Sequence, residues 1–227
     1  MRIGIIGTGM VGKELAAKLV EVGHNVMIGT RNVSQTLSRA EKDLVTNQTF
    51  AEWHKQNSRV KLGTFQDAAK HGEVIISATS GAALLDPLKQ AGAANMKGKI
   101  LMEISNPLDF SKGMPPTLSV CNTDSLGEQI QRSFPDVRVV KTLNTTNASM
   151  MVNPQQVANG DHTMFVCGND GAAKTAVTRY LIEWFGWKDI IDLGDITSAR
   201  GTEMLLPIWV RLMATLGTSM FNIKVVR

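Results

Sequence analysis

Gly7, Gly9 and Gly12 stand at the spacing of a dinucleotide-binding turn, Gly7-Thr8-Gly9-Met10-Val11-Gly12. The first glycine permits the tight turn, the second admits a pyrophosphate close to the backbone, and the third lets helix and strand pack closely. A phosphate there meets the unpaired N–H groups of a helix start, where the helix dipole favours negative charge. About 20 residues further on, an NAD site usually presents Asp or Glu to the ribose 2′-OH. Between Glu21 and Glu41 this chain has no acidic residue, and it offers Thr30-Arg31-Asn32, Ser34 and Arg39 instead. A guanidinium fork with hydroxyl donors suits a 2′-phosphate, which a carboxylate would repel. The expected cofactor is NADP(H); the alternative is that Arg31 is a merely solvated loop residue.

Further polar steps follow apolar runs at Ala78-Thr79-Ser80, Ser105-Asn106-Pro107 and Asn144-Thr145-Thr146-Asn147. They supply hydroxyls and amides rather than a convincing Lys or His base. Reduction of a carbonyl needs a proton donor near the nicotinamide. Hydride exchange with a flavin-like ring asks mainly for alignment, because the cofactors carry the chemistry. No catalytic residue is singled out. His24, His54, His71 and His162 show no metal-ligand spacing, and no metal is expected. Neither HExxH nor GxSxG occurs.

The elements that would position these groups alternate. Arg2–Ile6 reads as a strand, followed by a helix to about Val22 with Gly23 as its cap and a strand over Asn25–Gly29. Val11, Leu15, Leu19 and Val22 make the apolar helix face, and Lys13, Glu14, Lys18 and Glu21 the polar one. Residues 33–57 are partly helical, with Leu37, Leu44, Val45, Phe50 and Trp53 as sparse apolar positions. A short strand at Arg59–Leu62 precedes Thr64, an N-cap for Phe65–His71. Strands over Glu73–Ala78 and Ile100–Ser105 flank a helix through Leu84, Leu85 and Leu88. Phe110–Thr123 shows no period and is either a lid or a plain excursion. A helix at Ser125–Phe134 and strands at Val137–Leu143 and His162–Cys167 follow. Then come a helix at Gly171–Phe185, a strand at Asp189–Leu193 and a largely helical Ser198–Met220. In that last segment Leu205, Trp209, Leu212, Leu216 and Met220 read as core or subunit interface, and Pro207 as a helix start or kink.

This order implies an α/β fold with a doubly wound, mainly parallel sheet and right-handed crossovers. Ligands then bind beyond the carboxyl ends of the strands, so the polar exits should face one crevice. The expected division is a dinucleotide-binding domain over 1–150 and a small helical or α+β portion over 151–227 that completes the pocket. Apolar content of 43% and 19% charge are ordinary for a globular protein. A net charge of +4, scattered without runs, argues against a nucleic-acid role. No apolar run approaches the ~18 residues of a membrane span, and no signal peptide is read ahead of the first strand. Cys121 and Cys167 form no disulfide framework, which suits a reducing cytoplasm. Cys167 reads as core, leaving Cys121 as the candidate reactive thiol.

Taken together, the glycine turn, Gly29-Thr30-Arg31-Asn32, Ile104-Ser105-Asn106-Pro107-Leu108 and Lys141-Thr142-Leu143-Asn144-Thr145 resemble the NADP oxidoreductase family that uses the deazaflavin coenzyme F-420. So do Ala199-Arg200-Gly201, Leu206-Pro207 and the ending Phe221-Asn222-Ile223-Lys224. The resemblance runs the length of the chain and implies a Rossmann domain, homodimers, and hydride exchange between NADPH and a ring bound over the nicotinamide. It implies phosphate contacts from Thr8 to Val11, 2′-phosphate contacts from Thr30 and Arg31, and a nicotinamide contact from Asn144. Gln35 stands where relatives can carry a basic residue, and the family pattern includes many bacterial members whose second substrate need not be the deazaflavin. The metalloreductase domains of membrane-anchored ferric reductases are similar as well. Two further functions fit the residues: a reductase of small carbonyls or imines, with Lys141 among the candidate donors, and a non-catalytic NADP-binding redox sensor.

Overall fold

The structure, a computed structural model, describes residues 1–43, 46–81 and 85–227. The sequence positions Leu44, Val45 and Leu84 lie outside the described residues. The first half builds β1 (Arg2–Ile6), α1 (Met10–Glu21), β2 (Asn25–Thr30), α2 (Val33–Ser38), α3 (Phe50–Gln56), β3 (Lys61–Thr64), α4 (Phe65–His71), β4 (Val74–Ser77), α5 (Leu85–Ala91), α6 (Ala93–Met96) and β5 (Ile100–Glu103). The second half builds β6 (Leu108–Asp109), β7 (Thr117–Leu118), α7 (Leu126–Ser133), β8 (Arg138–Thr142), α8 (Ala148–Val152), β9 (Thr163–Cys167), α9 (Gly171–Tyr180), β10 (Asp189–Asp192), α10 (Ala199–Met204) and α11 (Leu206–Leu216).

The main sheet has eight strands in the order β10-β9-β8-β5-β4-β1-β2-β3. All neighbours are parallel except β8 and β9, so the doubly wound Rossmann arrangement carries a reversed pair at one edge. The chain turns from one half of the sheet to the other between β1 and β4, the switch point at which such sheets bind ligands. Residues 151–227 add β9 and β10 to this same sheet, and position 150 falls inside α8.

Ile3, Ile5, Ile28, Ile76 and Met102 fill the core on one side of the sheet, and Ile6, Ile75, Leu101 and Val139 fill it on the other. Strands covered on both faces read as continuous apolar runs, as Val74–Ser77 does. Thr64 caps α4 in a full capping box with Asp67. The expected strand at Arg59–Leu62 lies two residues later, at Lys61–Thr64.

Two expectations about side chains and segments are corrected. Lys13 does not share the solvent face of α1. It is buried and paired with Asp43, while Val22 on the expected apolar face is exposed. Phe110–Thr123 is not free of strand structure, since β6 and β7 form a small antiparallel hairpin around it. In the last helix Leu216 and Met220 are exposed and only Leu206 and Val210 of α11 are buried, which leaves the choice between core and subunit interface open for that stripe. Pro207 falls in the first turn of α11, where its missing N–H costs nothing.

Candidate functional site

The three glycines of the turn divide their work as the spacing implies. Gly7 lies at φ +127°, and a Cβ there would come 2.5 Å from the Ala78 carbonyl oxygen. A Cβ on Gly12 would come 2.3 Å from the Gly7 carbonyl oxygen. Gly9 has nothing within 4 Å of its Cβ position, so the space beside it is open to a ligand. It is also the N-cap of α1, with no side-chain cap and no acidic residue in the first turn. The leading N–H groups of a twelve-residue helix therefore face that space without a protein acceptor from the cap.

At the end of β2 the predicted residues separate into two kinds. Thr30 is buried, and its hydroxyl pairs with that of Thr36 at 2.6 Å. The Asn32 side chain accepts from the Gln35 N–H at 2.9 Å and caps α2. Both serve the turn itself. Arg31 and Ser34 are exposed and available. Arg39 reaches back across the cleft to the Thr8 hydroxyl at 3.5 Å, which joins the β2 exit to the glycine turn. A cavity of about 200 Å³ between them is lined by Thr8, Gly9, Lys13, Arg39, Glu41, Lys42 and Asp43 among others. The Lys13–Asp43 pair, at 2.7 Å with both side chains largely buried, closes its base. Lys13 and Lys42 were not expected here, because nothing local in the sequence links the first turn of α1 to residues 41–43.

Beyond the turn lies a cavity of about 320 Å³. Met10, Val11, Ala78, Thr79, Ser80, Ser105, Asn106 and Asn144 all line it, so the exits of β4, β5 and β8 converge here, while Thr8 lines the neighbouring cavity and Thr30 and Arg31 are not among the lining of either. Pro107 does not; its carbonyl instead accepts from the Ser119 N–H at 2.8 Å and anchors the β6–β7 hairpin. Thr145 is buried beside the cavity rather than in its lining. Leu143 adopts φ 60°, a region uncommon for a non-glycine residue, at the bend that delivers Asn144. Phe110, Thr146, Leu206 and Trp209 complete the wall. Of these, Phe110 and Trp209 were legible only as a loop residue and an interface residue.

Among the described residues no titratable side chain lines this cavity. Instead, Thr79 Oγ1, Thr146 Oγ1 and Trp209 Nε1 are buried without a hydrogen-bond partner among the described residues. Buried polar atoms are nearly always satisfied, so three such atoms around one cavity mark a place for a ligand with complementary groups. A dinucleotide with its phosphates at the open Gly9 and its base-bearing ring towards Thr79 and Asn144 fits this chemistry. Lys141 is not among the residues that line the cavity. It is fully buried, and although burial opposes its charge, Glu103 and Glu203 hold its ammonium above the ordinary lysine range. Among the described residues no cluster of His, Cys, Asp and Glu could hold a metal ion, and no helix is long and apolar enough to cross a membrane.

Comparison with known proteins shows the family of the chain. The family described as "NADP oxidoreductase coenzyme F420-dependent" matches residues 2–107, from β1 to the Asn106-Pro107 step. A crystal structure from Arthrobacter sp. FB24, provisionally described as an F420-dependent NADP-reductase, superposes with a TM-score of 0.96 at 54% identity over 100% of both chains. The chain belongs to the F420-dependent NADP oxidoreductase family. It is accordingly an NADP-dependent oxidoreductase. The F420-dependent NADP reductase of Methanothermobacter marburgensis is 28% identical over 93% of this chain and 92% of its own length. The metalloreductase STEAP3 of Rattus norvegicus is 27% identical over 92% of this chain, which spans only 38% of that longer protein.

Proposed function

We propose that this family member transfers hydride between NADPH and a flavin-like tricyclic ring, with the deazaflavin coenzyme as the first candidate. The observation that carries the reading is the 320 Å³ cavity at the switch point, lined by hydroxyls, amides and apolar groups with no acid or base. Such a wall aligns two rings but does not protonate a carbonyl. The amides from Thr8 to Val11 would hold the pyrophosphate. Arg31 and Ser34 would take the 2′-phosphate, with Arg39 closing from the turn side and Thr30 and Asn32 shaping the loop beneath. Asn106, Asn144 and the Thr79-Ser80 step would border the nicotinamide. NADPH supplies the hydride; the chain binds, orients and excludes water. The description of the M. marburgensis relative supports the deazaflavin as acceptor, and a free flavin is the nearest chemical alternative.

A homodimer and a cytoplasmic setting belong to the same proposal. The exposed Ile208 and Leu216 on α11 and the two free cysteines are what support them.

The test is NADPH oxidation with the deazaflavin coenzyme, FMN and FAD set against a cyclic imine and small ketones. Turnover with a ring and none with the imine or ketones is expected. Turnover only with an imine or ketone, or tight NADPH binding with no acceptor at all, would overturn the proposal.

A further inference from the structure

Behind the crevice wall lies a buried ionic cluster that the hydride-transfer reading does not use. Lys141 on β8 spends its three N–H donors on three partners: the Glu103 carboxylate, the Ser105 carbonyl at 2.6 Å, and Glu203 at 2.8 Å. Glu103, at the end of β5, accepts from both the N–H of Ser105, at 2.7 Å, and its hydroxyl. Glu203, on α10, accepts from the N–H groups of Leu126 and Gly127 at 3.0 and 3.2 Å. All three charged side chains are essentially without solvent exposure.

A buried ion pair is seldom worth more than well-packed apolar side chains of the same volume, because desolvation offsets the attraction. Stability alone therefore does not account for one lysine and two glutamates in this place. What apolar residues would not do is grip the backbone N–H, carbonyl and hydroxyl of Ser105 from behind. Ser105 and its neighbour Asn106 form one wall of the cavity. Glu203 lies three residues before Leu206 and six before Trp209, which form a second part of the wall. One lysine thus touches the supports of both walls.

We propose that Glu103, Lys141 and Glu203 are positioning residues that fix the separation between the Ser105–Asn106 wall and the Leu206–Trp209 wall, and so set the slot into which the acceptor ring must fit. Through Glu203 the cluster also ties the C-terminal helices to the first turn of α7. This rests on the crevice being the ring pocket. The burial that pushes the Glu203 carboxyl above its ordinary value shows how far from water the link is made.

The experiment begins with the unmodified protein, turned over with NADPH and either the deazaflavin coenzyme or FMN. No turnover with either removes the ring-pocket reading and this inference with it. With turnover established, Glu203→Gln keeps the shape and removes the charge, so it carries the test should Lys141→Met fail to fold. NADPH dissociation constants read from nicotinamide fluorescence should stay within about twofold, because the phosphate cradle is untouched. The kcat/KM for the ring should fall ~10–100-fold, the scale of a misplaced reacting geometry. In a Trp209→Ala background the same Glu203→Gln change should cost less than about twofold more, since the wall it positions has lost its ring contact. Strictly additive losses, or equal losses in NADPH binding and ring turnover, would overturn the inference.

Discussion

Asn106 and Asn144 exchange hydrogen bonds across the mouth of the crevice. Asn106 Nδ2 donates to the Asn144 carbonyl at 2.7 Å, and Asn144 Nδ2 donates to Asn106 Oδ1 at 2.9 Å. The exits of β5 and β8 are thereby locked at the place proposed for the nicotinamide. Asn144→Ala breaks one of these bonds, worth about 0.5–1.5 kcal/mol. The expected result is a several-fold fall in kcat with the ring, with NADPH affinity changing less. A loss confined to NADPH affinity would remove Asn144 from the nicotinamide end.

Two alanine substitutions in the glycine turn should fail in opposite ways. Gly9→Ala points its methyl into open space at an ordinary φ of −74°, so thermal stability should be unchanged while NADPH affinity falls tenfold or more, about 1.4 kcal/mol. Gly12→Ala must push against the Gly7 carbonyl, and overpacking of that kind costs about 1–3 kcal/mol of stability. Melting curves and NADPH titrations on the pair separate the two roles.

Arg31→Ala and Arg39→Ala should each weaken NADPH by ~1.5–3 kcal/mol, the scale of a hydrogen bond to a charged group. NADH, which lacks the 2′-phosphate, should be affected far less. Equal losses for the two nucleotides would assign these arginines to the pyrophosphate or to the loop fold.

Asp124 gives a pH dependence whose sign follows from its partners. The Arg132 guanidinium, bonded to it at 2.8 and 2.9 Å, is the main cause holding its carboxyl down from 3.8 to about 2. A carboxyl depressed by folding stabilises the native state while ionised. That contribution is complete above 3.8 and is lost as pH falls through about 2. Urea unfolding across this window should show a steep acid loss that Asp124→Asn flattens.

Much of this was open to a reader of the sequence. The alternation of periods over residues 2–30 marks β1, α1 and β2, and Thr64 with Asp67 announces the start of α4. The convergence of Thr79, Ser105 and Asn144 follows from parallel strands alone, because their carboxyl ends share one edge. What escaped depends on contacts distant in sequence. Helical periodicity assigns Lys13 to solvent, and only Asp43, thirty residues on, gives it a buried partner. Nor does the sequence near Lys141, a candidate donor only on the carbonyl or imine alternative, hint at the two glutamates, thirty-eight and sixty-two residues away, that enclose it. The reversed direction of β9 leaves no local trace, since a strand has the same side-chain period whichever way it runs. Two-residue strands such as β6 and β7 are too short to show a period at all.

Direct hydride transfer from NADPH to a ring in the switch-point cavity can be followed with NADPH deuterated at C4 of the nicotinamide, in both stereochemical forms, and the oxidised deazaflavin coenzyme, by mass spectrometry of the reduced ring. One of the two forms should deliver its deuterium to the ring carbon and the other should not. A reduced ring without label from either form, or no reduction of the ring while NADPH binds, would contradict it.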